Sequence, residues 1–194
     1  MKHLILLVSI VFFTLKANVM YAQQACDIIY DGIDLSTKLY RTEVGPALLF
    51  NHTPPEVKND LQMANLINTR GQIIRLEDKT SLHLNIQVNS LVARKVYGSI
   101  DKGGLLKISL IDGKEIELRC YAGSSGVATK DEKGFIYPVA YELSGRQVKQ
   151  LSKTEIDKVG LQWTSGYEEY VIYEVDFLMH QLSCLEQAKE KKTN

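Results

Sequence analysis

Imidazole, thiol and paired carboxylates are the groups most able to do chemistry in this chain, and the first two are sparse. Beyond the N-terminal apolar run the histidines are His52, His83 and His180, and the cysteines are Cys26, Cys120 and Cys184. A metal centre needs several such ligands brought together, and no two histidines are close-spaced. His52 precedes two prolines, His83 falls on the polar side of a strand pattern and His180 on the outer side of a helix pattern. Each is expected to be solvated, and neither a metal nor another cofactor is expected. Asp112 and Asp131-Glu132 are loop carboxylates without the alternating oxygen ligands of a calcium loop. Gly123-Ser124-Ser125-Gly126 has neither the spacing nor the following helix of a nucleophile elbow. Gly103-Gly104 leads into a strand rather than a phosphate-cradling helix N-terminus. Glu168-Glu169 are adjacent beside tyrosines, whereas a glycosidase holds two carboxyls apart across a cleft.

Two groups of residues suit binding instead. The row His83, Asn85, Gln87, Asn89 offers hydrogen-bonding groups without net charge, as a sugar or peptide site does and as any solvated sheet face also does. The cluster Trp163, Tyr167, Tyr170, Tyr173 combines apolar ring bodies with polar tips, suited to an interface or a carbohydrate platform. Trp163 shares its strand face with Val159 and Leu161, which points to the core.

The chain opens with Lys2, an apolar run from Leu4 to Leu15 and a polar stretch ending Met20-Tyr21-Ala22, the pattern of a secretory signal peptide over residues 1–22. The run is too short to cross a bilayer, which takes about 20 apolar residues. No transmembrane segment is expected, and residues 23–194 are read as one β-rich domain, periplasmic or secreted. A lipid anchor on Cys26 is the competing reading, disfavoured by Gln23 where such signals carry an aliphatic residue. Removing Lys2 and Lys16 leaves 21 basic against 23 acidic residues, a net charge of −2. No basic cluster is interleaved with aromatics, so no nucleic-acid partner is expected. In an oxidising compartment three cysteines allow one disulfide. Cys120 alternates with Ile116 and Leu118 toward the core, so it is expected to be a buried thiol, and Cys26 is expected to pair with Cys184.

These side chains must be held by mostly β structure. Leu105 to Tyr121 reads as a hairpin around Asp112-Gly113. A two-residue loop would mix apolar and charged residues on both faces. A three-residue loop Ile111-Asp112-Gly113, with Gly113 in the left-handed bulge position, sets Ile108 against Ile116, Leu106 against Leu118 and Lys107 against Glu117. That alternation marks a half-buried antiparallel sheet. Further short strands are expected within residues 26–50, then a helix from Thr53-Pro54 through Val57, Leu61 and Ala64, ended by Asn68 to Gly71. Strands follow through Ile74 and Leu76, Leu82 to Val88, and Val92 to Tyr97. Gly123 to Gly134 reads as a mobile loop, and Phe135 to Tyr141 as a strand at an edge or with a bulge because of Pro138. Ser144 to Lys153 fits a short helix, Val159 to Trp163 and Val171 to Val175 fit strands, and a helix capped by Asp176 closes the chain. The fold class is mainly β (α+β), an antiparallel sandwich or curved sheet with a short internal helix and a C-terminal helix packed on it.

The segment IDKVGLQWTSGYEEYVIYEVDFLMHQLSCL, Ile156 to Leu185, resembles uncharacterised secreted proteins of Bacteroidota-type bacteria, and the Ala22-Gln23 junction is similar to theirs. The resemblance implies export and architecture and assigns no residue a role. The leading functional expectation is a non-enzymatic exported domain binding another envelope protein or a surface glycan through the turn around Tyr167. The alternatives are a small-ligand carrier with a cavity between sheet and helix, and a hydrolase with an unrecognised site.

Overall fold

The structure is a computed structural model that describes residues 26–54 and 65–193, with side chains placed as far as Lys189. The expected signal peptide and the expected helix through Val57, Leu61 and Ala64 lie outside the described residues.

Among the described residues eleven strands form one antiparallel sheet that curls on itself: β1 Ile28–Ile33, β2 Tyr40–Val44, β3 Ala47–His52, β4 Ile67–Leu76, β5 Lys79–Val88, β6 Leu105–Leu110, β7 Glu115–Ala122, β8 Val127–Ala128, β9 Phe135–Leu143, β10 Ile156–Trp163 and β11 Gly166–Val171. The helices are α1 Ala93–Val96, α2 Gly145–Leu151 and α3 Phe177–Thr193. The strand order is β1-β2-β4-β5-β9-β7-β6-β10-β11, with β3 added to β4 and β8 to β9. Curling brings β11, the last strand of that order, against β3, and Phe50 of β3 stacks on Tyr170 of β11 at 4.5 Å between ring centroids. The enclosed face carries the core, and α3 lies against β1, β2 and β4.

The β6–β7 hairpin has the three-residue loop. Leu110 C=O accepts from Gly113 N–H at 2.9 Å, Gly113 has φ 81°, and Ile108 faces Ile116 while Leu106 faces Leu118. Lys107 lies opposite Glu117 but bonds the diagonal Glu115, at 2.9 Å. In β5, Leu82, Leu84, Ile86 and Val88 are buried and their neighbours are not. Ser144 caps α2 with a full capping box to Gln147, and Leu151 is buried with Val148 packed on the core. On α3, Phe177, Leu178, Gln181, Leu182, Leu185 and Ala188 form the buried side.

Four local expectations are corrected. Asn68 to Gly71 do not end a helix; they lie inside β4, and Gly71 leaves room for Phe177, whose Cζ is 3.0 Å from where a Cβ would stand. Val92 to Tyr97 is not a strand: Ala93 and Tyr97 are buried one helical turn apart around α1, while Val92 and Val96 face solvent. β9 is central, pairing with β5 along its whole length; Pro138 falls between Ile136, paired with β8, and Ala140, paired with β7, where the second side has no strand partner among the described residues and a missing N–H costs little. β11 ends at Val171, so Tyr173 and Val175 lie beyond the strand and are exposed. The Gly123 to Gly134 loop is also pinned, by an Ile100–Ser124 bridge, by β8 and by a Thr129–Gly134 backbone bond of 2.9 Å.

Gln181 explains how α3 is seated. β2 and β3 share one side of β4, covering Ile74 to Leu76 and Ile67 to Gly71, and the Ile73 N–H sits at their junction. The Gln181 side chain accepts from that N–H at 3.0 Å and donates to Gly45 C=O at 3.0 Å, so a buried amide is satisfied at both ends.

Candidate functional site

Where β2, β4, β5 and β9 end, their core-facing residues form one row in register, Thr42, Arg75, Thr80 and Leu143. Thr42 and Thr80 are 6% and 5% exposed, so hydroxyls and a guanidinium occupy positions that alternation otherwise gives to aliphatic side chains. Thr42 Oγ1 donates to Asp31 Oδ1 at 2.8 Å, and Arg75 pairs with Glu186 of α3. Over this row stand Val148 of α2 and Leu185 of α3, and together they line a half-open cavity of about 650 Å³. Glu77 and Asp78, the β4–β5 turn, form part of the rim, where Glu77 N–H donates to Tyr40 C=O at 2.8 Å and the Glu77 carboxylate accepts from Tyr40 N–H at 2.8 Å. The lining is mixed: hydroxyl and cationic groups on the floor, aliphatic side chains on the walls. Continuing the β5 alternation inward from Leu82 by one step to Thr80 is the sequence signal that marks it.

The polar row predicted on β5 is real as a surface. His83 is half-buried, with Nε2 2.9 Å from Ser81 Oγ and 3.2 Å from the Tyr121 hydroxyl. Burial, then the nearby Arg41 charge, lowers the His83 pKa and holds the ring neutral. Asn85 is exposed, and Gln87 donates to Asn89 at 2.8 Å. The row continues onto β4 and β3, where Asn68 donates to Asn51 at 2.8 Å. Tyr121, 43% exposed, is the aromatic of this face, supplied by β7 rather than by the predicted tyrosine cluster.

No family model, curated protein or solved structure matches the chain.

The predicted aromatic cluster is not brought together as a surface. Trp163 is 1% exposed, as its strand face implies. Its indole N–H donates to the Tyr170 hydroxyl at 3.0 Å, which in turn donates to Glu168 at 2.7 Å, and Tyr137 meets the indole edge-on at 5.1 Å. Tyr170 is therefore core, with burial and Glu168 raising its pKa; burial and Glu168 also push Tyr97 up to about 12. Tyr167 is part-exposed, with Lys107 6.0 Å from its ring, and Tyr173 stands apart at 71% exposed.

The cysteines divide as read. Cys120 is buried, which raises its pKa, while Cys26 and Cys184 lie at disulfide distance with Cα atoms 5.2 Å apart. His180, expected to be solvated, is part-buried with Nε2 3.6 Å from Cys184 Sγ, and Gln187 Oε1 lies 3.6 Å from Cys26 Sγ. Cys26, His180 and Cys184 place their donor atoms within 4.8 Å of one another, a convergence that an inspection of histidine spacing alone passes over. No helix among the described residues is long and apolar enough to cross a membrane.

Proposed function

We propose that this is an exported, non-enzymatic binding domain that carries a small amphipathic molecule in the cavity under α2 and α3. The observation that carries the reading is the in-register row Thr42, Arg75, Thr80 facing aliphatic walls across about 650 Å³. The ligand's hydrogen-bonding end lies toward that row, and its apolar body lies against Leu143, Val148 and Leu185. Export is supported by the N-terminal pattern and by the Cys26–Cys184 pair, whose bonding suits an oxidising compartment. Titration calorimetry with a series of alkyl glycosides and medium-chain fatty acids tests the reading. Saturable binding to one site per chain is expected, and Val148→Trp, which fills part of the cavity with a bulky ring, weakens it at least tenfold with the fold intact. Binding that Val148→Trp leaves unchanged contradicts the cavity as the site.

The neutral amide face favours a second reading, contact with a glycan through His83, Asn85, Gln87, Asn68 and Tyr121. Retardation in gels cast with neutral polysaccharides, lost in Asn85→Lys, would support this face over the cavity. The turn around Tyr167 is not carried forward as a three-tyrosine contact surface, because Tyr170 is enclosed in the core.

A further inference from the structure

The Cys26–Cys184 clasp contains more donor groups than a crosslink uses. Cys26 stands just before β1, while His180 and Cys184 are one turn apart on α3, so two separate elements contribute to one point. A tetrahedral zinc ion with sulfur at about 2.3 Å and imidazole nitrogen at about 2.0 to 2.1 Å places those two donors about 3.6 Å apart. His180 Nε2 and Cys184 Sγ are 3.6 Å apart. Gln187 Oε1, 3.6 Å from Cys26 Sγ, adds an oxygen beside that sulfur. Two sulfurs, one nitrogen and one oxygen form a donor set of tetrahedral zinc type.

We propose that the reduced form of this clasp binds one zinc(II) ion through Cys26, His180 and Cys184, with Gln187 or water completing the shell. The oxidised form closes α3 onto β1 with a covalent bond, and the reduced form closes it with a cation. A small dithiol supplies the reduction: two electrons and two protons pass to the S–S bond, which breaks to give two thiols, and the donor leaves as its own disulfide. Zinc then displaces both thiol protons to solvent as the sulfurs bind as thiolates. His180 contributes the Nε2 lone pair and keeps its proton on Nδ1.

The purified protein is reduced with a dithiol under nitrogen, desalted and titrated with zinc against a chromophoric chelator, with cobalt(II) as a spectroscopic substitute. One zinc per reduced chain, none per oxidised chain, and the intense visible bands of tetrahedral cobalt with a thiolate charge-transfer band are expected. Cys26→Ser abolishes tight binding, and His180→Ala weakens it by about tenfold or more. Oxidised His180→Ala keeps the parent melting temperature, which separates ligand loss from misfolding. If reduction alone loosens the fold, zinc restores the native near-ultraviolet circular dichroism. A reduced chain that takes up no zinc, affinity unchanged in Cys26→Ser, or a reduced fold that zinc does not restore each overturns the site. A mature chain acylated on Cys26 has no pair to reduce and overturns it as well.

Discussion

The two ends of the curled sheet are built on opposite plans. On β9, Tyr137 belongs to one end and Leu143 to the other, six residues or about 20 Å apart along the strand. Around Tyr137, the rings of Phe50, Tyr97, Trp163 and Tyr170 meet at 4.5 to 5.1 Å, and the polar tips of Trp163 and Tyr170 bond one another and then Glu168. Around Leu143, two threonines and an arginine face an open space under two helices. The aromatic end joins β3 to β11 through stacked rings, while the threonine end gives up close packing for a cavity. Close packing supplies stability, and voids cost it. The proposed ligand would complete the core at the threonine end, where the chain itself leaves polar groups facing a cavity.

The contrast breaks most sharply at Trp163. Trp163→Ala empties the aromatic end and removes the indole donor to the Tyr170 hydroxyl, so a loss of about 3 to 5 kcal/mol is expected by urea unfolding. A loss under about 1 kcal/mol would show that this end does not hold the roll closed. Gly71→Ala acts between the ends, since its Cβ would meet Phe177 Cζ at 3.0 Å and Leu84 Cδ2 at 3.1 Å. Both are side-chain tips that can give a little, so about 1 to 2 kcal/mol is expected, with faster amide hydrogen exchange in the first turn of α3. No change in exchange there would show that Phe177 does not depend on the gap.

Gly113→Val sharpens the comparison from outside both ends. Nothing lies within 4 Å of the added Cβ, so only the left-handed φ of 81° is strained. About 1 kcal/mol, or roughly 2 to 4 °C in melting temperature, is expected, with no effect on ligand binding. An unchanged melting temperature would place Gly113 outside the bulge. His83 gives the smallest effect. Its folded pKa lies below the unfolded value of about 6.5, so the unfolded chain takes up the proton first and stability falls as pH drops through that value. His83→Asn should flatten this part of a melting-temperature profile between pH 7 and 5, and an identical slope in the variant would assign the titration elsewhere.

Those positions also mark what local pattern can reveal. The β6–β7 register is legible because only one loop length puts Leu106, Ile108, Ile116 and Leu118 on one face. The buried side of α3 is legible for the same reason, at helical period. The Cys26–Cys184 proximity follows from elimination once Cys120 is seen to point inward. Pro138 misleads because propensity assumes that both sides of a strand are paired, and that stretch of one side of β9 has no strand partner among the described residues. Val92 to Tyr97 misleads because four helical residues are too few to show their period. The cavity row is hidden differently. Alternation from Leu82 points Thr80 inward, but Thr42 and Arg75 join it in one row only when four strands and two helices are assembled. The Tyr167, Tyr170, Tyr173 grouping fails because alternation within β11 buries Tyr170, and the strand ends before Tyr173. His180 and Cys184 are one turn apart in the sequence, but their third member comes from 154 residues earlier than His180, which only the fold reveals.

Chemical-shift mapping tests the division between the two ends most directly. In ¹H–¹⁵N spectra of labelled protein titrated with an alkyl glycoside, shifts are expected to concentrate on Thr42, Arg75, Thr80, Leu143 and Leu185. The Trp163 indole resonance should stay in place throughout. Shifts centred on His83, Asn85 and Tyr121, or movement of the Trp163 indole with the cavity row silent, would contradict the account.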